Sequence, residues 1–172
     1  MTTEHSIRVD LQNDDFCHAS EYQTLRDNNL SCGAIVTFTG LVREFTHDTA
    51  RQQTVQYIEL QHYPVMTENS IIEIAGKVAA EFKIHDVRII HRIGKLYPND
   101  QIVLVGVASP HRQEAFLAAE MLMDYLKSQT LLWKKEVRQS VDNEGKLQQE
   151  SIWIEPKERD YDALTRWQKK PS

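Results

Sequence analysis

The chain has 172 residues, 41% hydrophobic and 26% charged, with a formal net charge of −5. That length suits one domain, 1–172, with a proper core, and the acidic balance argues against a general nucleic-acid binder while leaving room for a local cationic pocket. The polar start "MTTEHSIRVDLQNDD" lacks a signal-peptide apolar region and no run approaches the roughly 18 apolar residues that span a bilayer, so the expected setting is the cytoplasm.

"SIRVDLQ" alternates Ile7, Val9 and Leu11 and predicts a short strand; "ASEYQTLRDNN" predicts a helix. "CGAIVTFTGLVRE" and "TVQYIELQHY" are β-prone, separated by the polar, aperiodic "EFTHDTARQQ" (44–53), expected to be a surface loop. Pro64 suits the opening of a helix whose buried stripe is Ile71, Ala75, Val78 and Phe82. "DVRIIHRIG" and "QIVLVGVAS" predict two strands joined through "KLYPND", where Asn99 suits positive φ. "PHRQEAFLAAEMLMDYLK" predicts a second long helix with the stripe Phe116, Ala119, Met123 and Leu126. "LLWKKEVRQS" and "LQQESIWIE" flank the turn signal "VDNEG" as a hairpin, and "PKERDYDALTRWQ" closes as a short helix. Strands in adjacent pairs between helices predict an α+β layered domain with mainly antiparallel strands, not a doubly wound parallel sheet.

No phosphate-loop, dinucleotide, nucleophile-elbow or zinc-protease motif is present. The seven histidines do not fall at metal-ligand spacing, and Cys17 and Cys32 form no C-x-x-C pair. What remains is a set of cations at the ends of regular elements. Arg43 follows the strand "VTFTGLV"; His111 and Arg112 stand where a strand turns into a helix, a place where backbone N–H groups already favour anions. Lys127 falls near that helix's end, where solvated charge also suits the dipole, while Lys134 and Lys135 point to opposite faces of a strand. Free lysine, with a pKa of about 10.4, is a poor base at neutral pH; crowding by other cations and partial desolvation make it a usable proton carrier or nucleophile. Spacing alone leaves surface charge and shared pocket both open.

The blocks "GAIVTFTGLVRE", "HYPVMTE", "HRIGKLYPND", "VGVASPHRQEAF" and "MDYLKSQTLLWKKE", in this order, resemble the large, catalytic subunits of molybdopterin synthase, over roughly residues 30 to 167 and beyond the strand and helix of 1–30. The resemblance implies an α/β hammerhead-type fold and a sulfurtransferase of molybdenum cofactor biosynthesis. Such enzymes convert cyclic pyranopterin monophosphate to molybdopterin, a dithiolene. The sulfur comes from the thiocarboxylated C-terminal Gly-Gly tail of a small ubiquitin-like carrier, with no cofactor or metal. It also implies a homodimer of large subunits within a heterotetramer. Two anionic reactants account for cations in an acidic protein.

Carried over by motif, Lys127 is expected to be the catalytic lysine, as acid/base or transient acyl acceptor, and Lys134 the second, orienting substrate and stabilising negative charge. Arg43, His111, Arg112 and Lys157 are expected to bind substrate, with residues from both large subunits. Phe38 and Met123 match apolar pocket positions, though core packing explains each equally well, and Glu136 is placed to orient Lys134 from the same strand face. Lys135 is expected to be the solvated neighbour, and Leu131-Leu132-Trp133 the link that fixes the lysines' separation and shields their pocket. The chain departs from the family pattern at Leu41 (often basic), Leu131 (often proline), Asn99 (usually glycine) and Lys157 (often arginine, whose bidentate fork is lost). The contrasting readings are a non-catalytic module of the same fold that docks an anionic ligand or a ubiquitin-like partner, and an acyl-transfer enzyme acting on another phosphorylated substrate.

Overall fold

The computed structural model describes residues 5–44, 54–142, 144–155 and 158–168; segment 45–53 and Lys157, both singled out from the sequence, lie outside them. The order is β1 (Ser6–Gln12), α1 (His18–Asn28), β2 (Ala34–Leu41), β3 (Thr54–His62), α2 (Met66–Phe82), β4 (Asp86–Arg92), β5 (Gly94–Leu96), β6 (Gln101–Ser109), α3 (Arg112–Ser128), β7 (Leu132–Val141), β8 (Leu147–Ile154) and α4 (Glu158–Gln168). They form two four-stranded sheets, β1-β4-β6-β2 and β5-β3-β7-β8. Among the described strands only the β1–β4 pair is parallel. The mixed α+β class with mainly antiparallel strands and a C-terminal hairpin is therefore the observed one. No described helix is long and apolar enough to cross a membrane.

The first sheet is covered on both faces, which explains the nearly unbroken burial of β4. Val87 and Ile89 face the large cluster that α2 and α3 complete with Ile71, Ala75, Val78, Ala118 and Leu122. Ile90 faces the other way, with Phe16 and Leu104. On that side α1 lies close: a Cβ on Gly106 would stand 2.5 Å from Leu25 Cδ1, so glycine is what lets the helix approach β6. Arg88, also on this side, sends its guanidinium to Asp10 (2.5 Å) and to Glu21 on α1 (2.7 Å), pinning helix to sheet.

The two strands joined through "KLYPND" do pair, and the connection holds a short strand that the sequence reading did not single out: Gly94–Leu96 crosses to the second sheet and pairs with β3. Gly94 at φ +78° allows the change of direction, and Leu96 then reaches full burial in the cluster of Val42, Val55, Ile58 and Leu60. Asn99 does take the positive φ, +73°. On α3 the buried stripe is Ala115, Ala118, Ala119, Leu122 and Leu126, whereas Phe116 is 64% exposed. The small alanines bring α3 close to the first sheet and α2, and that rotation leaves the large ring outside.

Candidate active site

Strand β7 runs between β3 and β8 in the second sheet. Alternation puts Lys134, Glu136 and Arg138 on one face of it. Opposite them on β3 stand Leu60, Ile58 and Val55, all buried; a register shift at Val55–Tyr57 turns Val55 to the same side as the other two. Against this apolar floor Glu136 is almost enclosed, its side chain 10% exposed. One carboxylate oxygen, Oε1, lies 2.7 Å from Lys134 Nζ. The other accepts from Arg138 Nε at 3.0 Å and Nη2 at 2.8 Å. Burial pushes the Glu136 carboxyl up, but Lys134 and then Arg138 outweigh it and hold the group below the usual glutamate range. Glu136 is thus a fixed anion, and Lys134, a third exposed, offers its remaining N–H donors to solvent or a ligand.

Lys127 lies in the last turn of α3, exposed and with no side-chain partner among the described residues. The link from it to β7 is tied at each step. Ser128 Oγ donates to Asp124 O at 2.6 Å, Gln129 N to Tyr125 O at 2.8 Å and Thr130 Oγ1 to Leu126 O at 2.6 Å. Thr67 Oγ1, at the start of α2, then donates to Leu131 O at 2.9 Å. Two of the helix's last four carbonyls, those of Tyr125 and Leu126, are thereby satisfied, and these bonds tie the link between the two lysines. Trp133 does not provide the expected shielding, whereas Leu131 and Leu132 are partly buried and Leu132 shares the Lys134 face of β7. Trp133 is 40% exposed and packs edge-on against Tyr63, ring centroids 4.8 Å apart, on the face of β7 away from Lys134. Lys135 is not the solvated one either: its side chain is 30% exposed, 3.9 Å from Glu59 and above the Trp153 ring. The cross-strand partners Glu59 and Trp153 on the outer face hold it there.

The remaining cations are placed elsewhere. Arg43 is exposed just past β2, next to buried Val42, whose N–H and C=O bond Asp100 and Asn99. His111 is the extended N-cap residue of α3 and Arg112 its first helical residue, both exposed, lining a shallow depression with Gly33 and Pro110. No described side chain caps this end, which leaves helix N–H groups for an anion, and Glu114 in the first turn offsets the unfavourable cation. Arg112 and Lys127 are fifteen residues apart on one continuous helix, about 22 Å at 1.5 Å per residue. One chain does not bring them together.

Phe38 is 41% exposed on edge strand β2, so core packing does not explain it; Met123 is partly buried against the main core, so core packing does. The sequence reading missed Arg138 and Thr67. The first was findable, since "KKEVR" repeats charge with period two and so loads one strand face. The second, sixty-four positions from its acceptor, had no local signal.

A model of the "MoaE protein" family matches residues 11–129. The molybdopterin synthase catalytic subunit of Vibrio cholerae is 42% identical over 94% of this chain and 98% of its own. Among solved structures, molybdopterin cofactor biosynthesis protein E from Burkholderia multivorans superposes with TM-score 0.73 at 36% identity, covering 97% of this chain and all of that one. Molybdopterin synthase from Staphylococcus aureus superposes with TM-score 0.67 at 28% identity, over 84% of this chain and 95% of that one. With its family model matched over most of the fold and a relative this similar along nearly its whole length, the chain belongs to the MoaE family of molybdopterin synthase catalytic subunits.

Proposed function

We propose that the chain converts cyclic pyranopterin monophosphate to molybdopterin, with sulfur delivered as the C-terminal thiocarboxylate of a small ubiquitin-like carrier. The observation that carries the site assignment is the Lys134–Glu136 contact of 2.7 Å, joined through a tied link to a Lys127 that has no side-chain partner among the described residues. Lys134, fixed by Glu136, presents positive charge to the anionic reactants and to charge that develops during transfer. Lys127, with no described acid to hold it, serves the carrier's carbonyl as acid/base or transient acyl acceptor. Arg43, His111, Arg112 and Lys157 bind the pterin and its phosphate.

The length of α3 adds a constraint. A pterin monophosphate is far shorter than the separation of about 22 Å between Arg112 and Lys127. A site that uses both therefore takes His111 and Arg112 from a second copy of the chain, which supports a homodimer of large subunits with one carrier per site. The reaction so written needs no metal or cofactor of the chain's own, and its setting is the cytoplasm.

The test is reconstitution with purified chain, thiocarboxylated carrier and pterin substrate, with the product read as its fluorescent oxidation derivative. Product is expected from the native chain, and a loss of at least about a hundredfold from Lys127→Ala with carrier binding retained. No product from the native chain with a competent carrier overturns the assignment; native turnover by Lys127→Ala removes that lysine from the mechanism.

A further inference from the structure

Glu136 carries two cations, and only one of them belongs to the site described above. Alternate residues on a strand face stand about 6.7 Å apart, so Lys134 and Arg138 reach the carboxylate from opposite sides along β7. They divide it cleanly. Both Arg138 N–H groups go to Oε2, at 3.0 and 2.8 Å, while Oε1 is left to Lys134. A carboxylate held by a single flexible lysine can turn about its last torsion; one gripped from the far side by a planar guanidinium cannot.

The surroundings leave Arg138 no other described acid. On β3 its opposite residue is Val55, and those facing Glu136 and Lys134 are Ile58 and Leu60. On β8 Ile154 and Ile152 stand opposite Lys134 and Glu136, and Glu150 opposite Arg138, exposed and unpaired with it. Leu96 and Val42 complete the floor, and Arg43 and Glu44, beyond Val42, are exposed. Yet the Arg138 side chain is only 15% exposed, so its charge is sheltered for the sake of one contact.

We propose that Arg138 is a positioning residue of the sulfur-transfer site: by holding Oε2 of Glu136 it keeps Oε1 on Lys134 Nζ and so fixes where the lysine's charge stands. The proposal rests on the reading of Lys134 as an active-site residue. It assigns Arg138 no contact with substrate.

The experiment compares native chain, Arg138→Met and Arg138→Lys by three readouts. Without substrate, NMR follows the Glu136 carboxyl through an acid titration and the hydrogen exchange of the Lys134 ammonium. With substrate and carrier, kcat, KM and their pH profiles are measured, and thermal unfolding monitors the fold. In Arg138→Met, Glu136 is expected to take up its proton at higher pH and Lys134 protons to exchange faster. The acid limb of kcat should move to higher pH, and kcat should fall about tenfold with KM little changed. Arg138→Lys, which restores charge without the fork, should return the acid limb towards native and recover part of kcat. A native Glu136 titration and native Lys134 exchange in Arg138→Met overturn the proposal. So does a fall in kcat that follows the loss of folded protein and leaves the pH profile unmoved. If the native chain makes no product, the reading of the site fails instead, and the NMR arm still decides whether Arg138 positions Lys134.

Discussion

Each sheet holds a buried charge between two partners of opposite sign, and the two arrangements are mirror images. In the first sheet, where Asp86 and Arg92 of β4 are buried as well, the cation Arg88 sits between two acids, Asp10 and Glu21. In the second a single acid, Glu136, sits between two cations, Lys134 and Arg138. The first cluster is net negative, and its buried member makes the contacts that tie α1 to the sheet. The second is net positive, with its surplus on a lysine one third exposed at the start of β7. The buried member satisfies the fold in both cases; the sign and the exposure of the surplus separate a structural cluster from one that can receive anions. An overall charge of −5 conceals that difference.

The comparison breaks most visibly at Arg88. Its side chain is 9% exposed, so Arg88→Met strands two carboxylates against the sheet. Removing one partner of a buried pair costs about 3–5 kcal/mol. Asp10 is 54% and Glu21 23% exposed and both can turn to water, which places the expected loss nearer about 2–3 kcal/mol. Urea unfolding at neutral pH measures it. Turnover per folded molecule should stay native, because this cluster lies on the α1 side of the other sheet. A large fall in turnover with unchanged stability would reverse the roles assigned to the two clusters.

How much of this was legible in the sequence follows from the range of the interactions. The helices and most strands were, because alternation in "SIRVDLQ" and the Ile71, Ala75, Val78 stripe are local patterns of burial. Glu136 beside Lys134 was, since residues two apart on a strand share a face whatever the fold. Phe116 was misassigned because its spacing fits a helical stripe as well as the alanines' spacing does; which stripe turns inward depends on what α3 packs against. β5 was hidden for a similar reason: three residues gain a partner only when a distant strand is already in place. Pairing with Glu59 and Trp153 decided the fate of Lys135, and no reading of "WKKE" alone contains them.

A second, smaller effect sharpens the contrast through pH. The Glu136 carboxyl is held below its ordinary value in the fold. A group so depressed contributes stability that is fully present above its unfolded pKa, about 4.3, and is lost as pH falls through the folded value. Glu136→Gln should therefore flatten the decline of stability below about pH 4 and lower stability modestly at neutral pH, where the two cations lose their anion. Arg88 stays charged throughout this range, so replacing it should leave no matching change assignable to its own titration. Urea midpoints across pH 2.5–7 for the two variants, a range set by the carboxylate pKa of about 4, test the difference. An acid slope in Glu136→Gln as steep as the native one would show that other carboxylates carry it.

The smallest expected effect concerns the backbone beside the second cluster. Val65, which precedes α2, has φ +67° and ψ −49°, and Met66 N–H bonds Pro64 O at 2.7 Å, closing a three-residue γ-turn. A β-branched residue at positive φ is strained by about 1–3 kcal/mol. Lys83 and Asn99 also have positive φ, but Lys83 takes the common left-handed helix C-cap and Asn is well suited to that region. The Val65 turn persists because its neighbours hold both sides. Tyr63 packs on Trp133, and Thr67 accepts from Tyr63 N–H while donating to Leu131 O on the link to Lys134. Val65 itself is 67% exposed, so a smaller side chain there loses little packing. Val65→Gly relieves the strain but gives the unfolded chain more freedom, worth about 0.5–1 kcal/mol against it. A net gain of about 1 kcal/mol is expected, read as a rise in the unfolding midpoint at unchanged denaturant slope. Turnover should stay native, because Thr67 rather than Val65 ties the link; a gain in stability with a fall in kcat would instead make the strained turn part of how Lys134 is held.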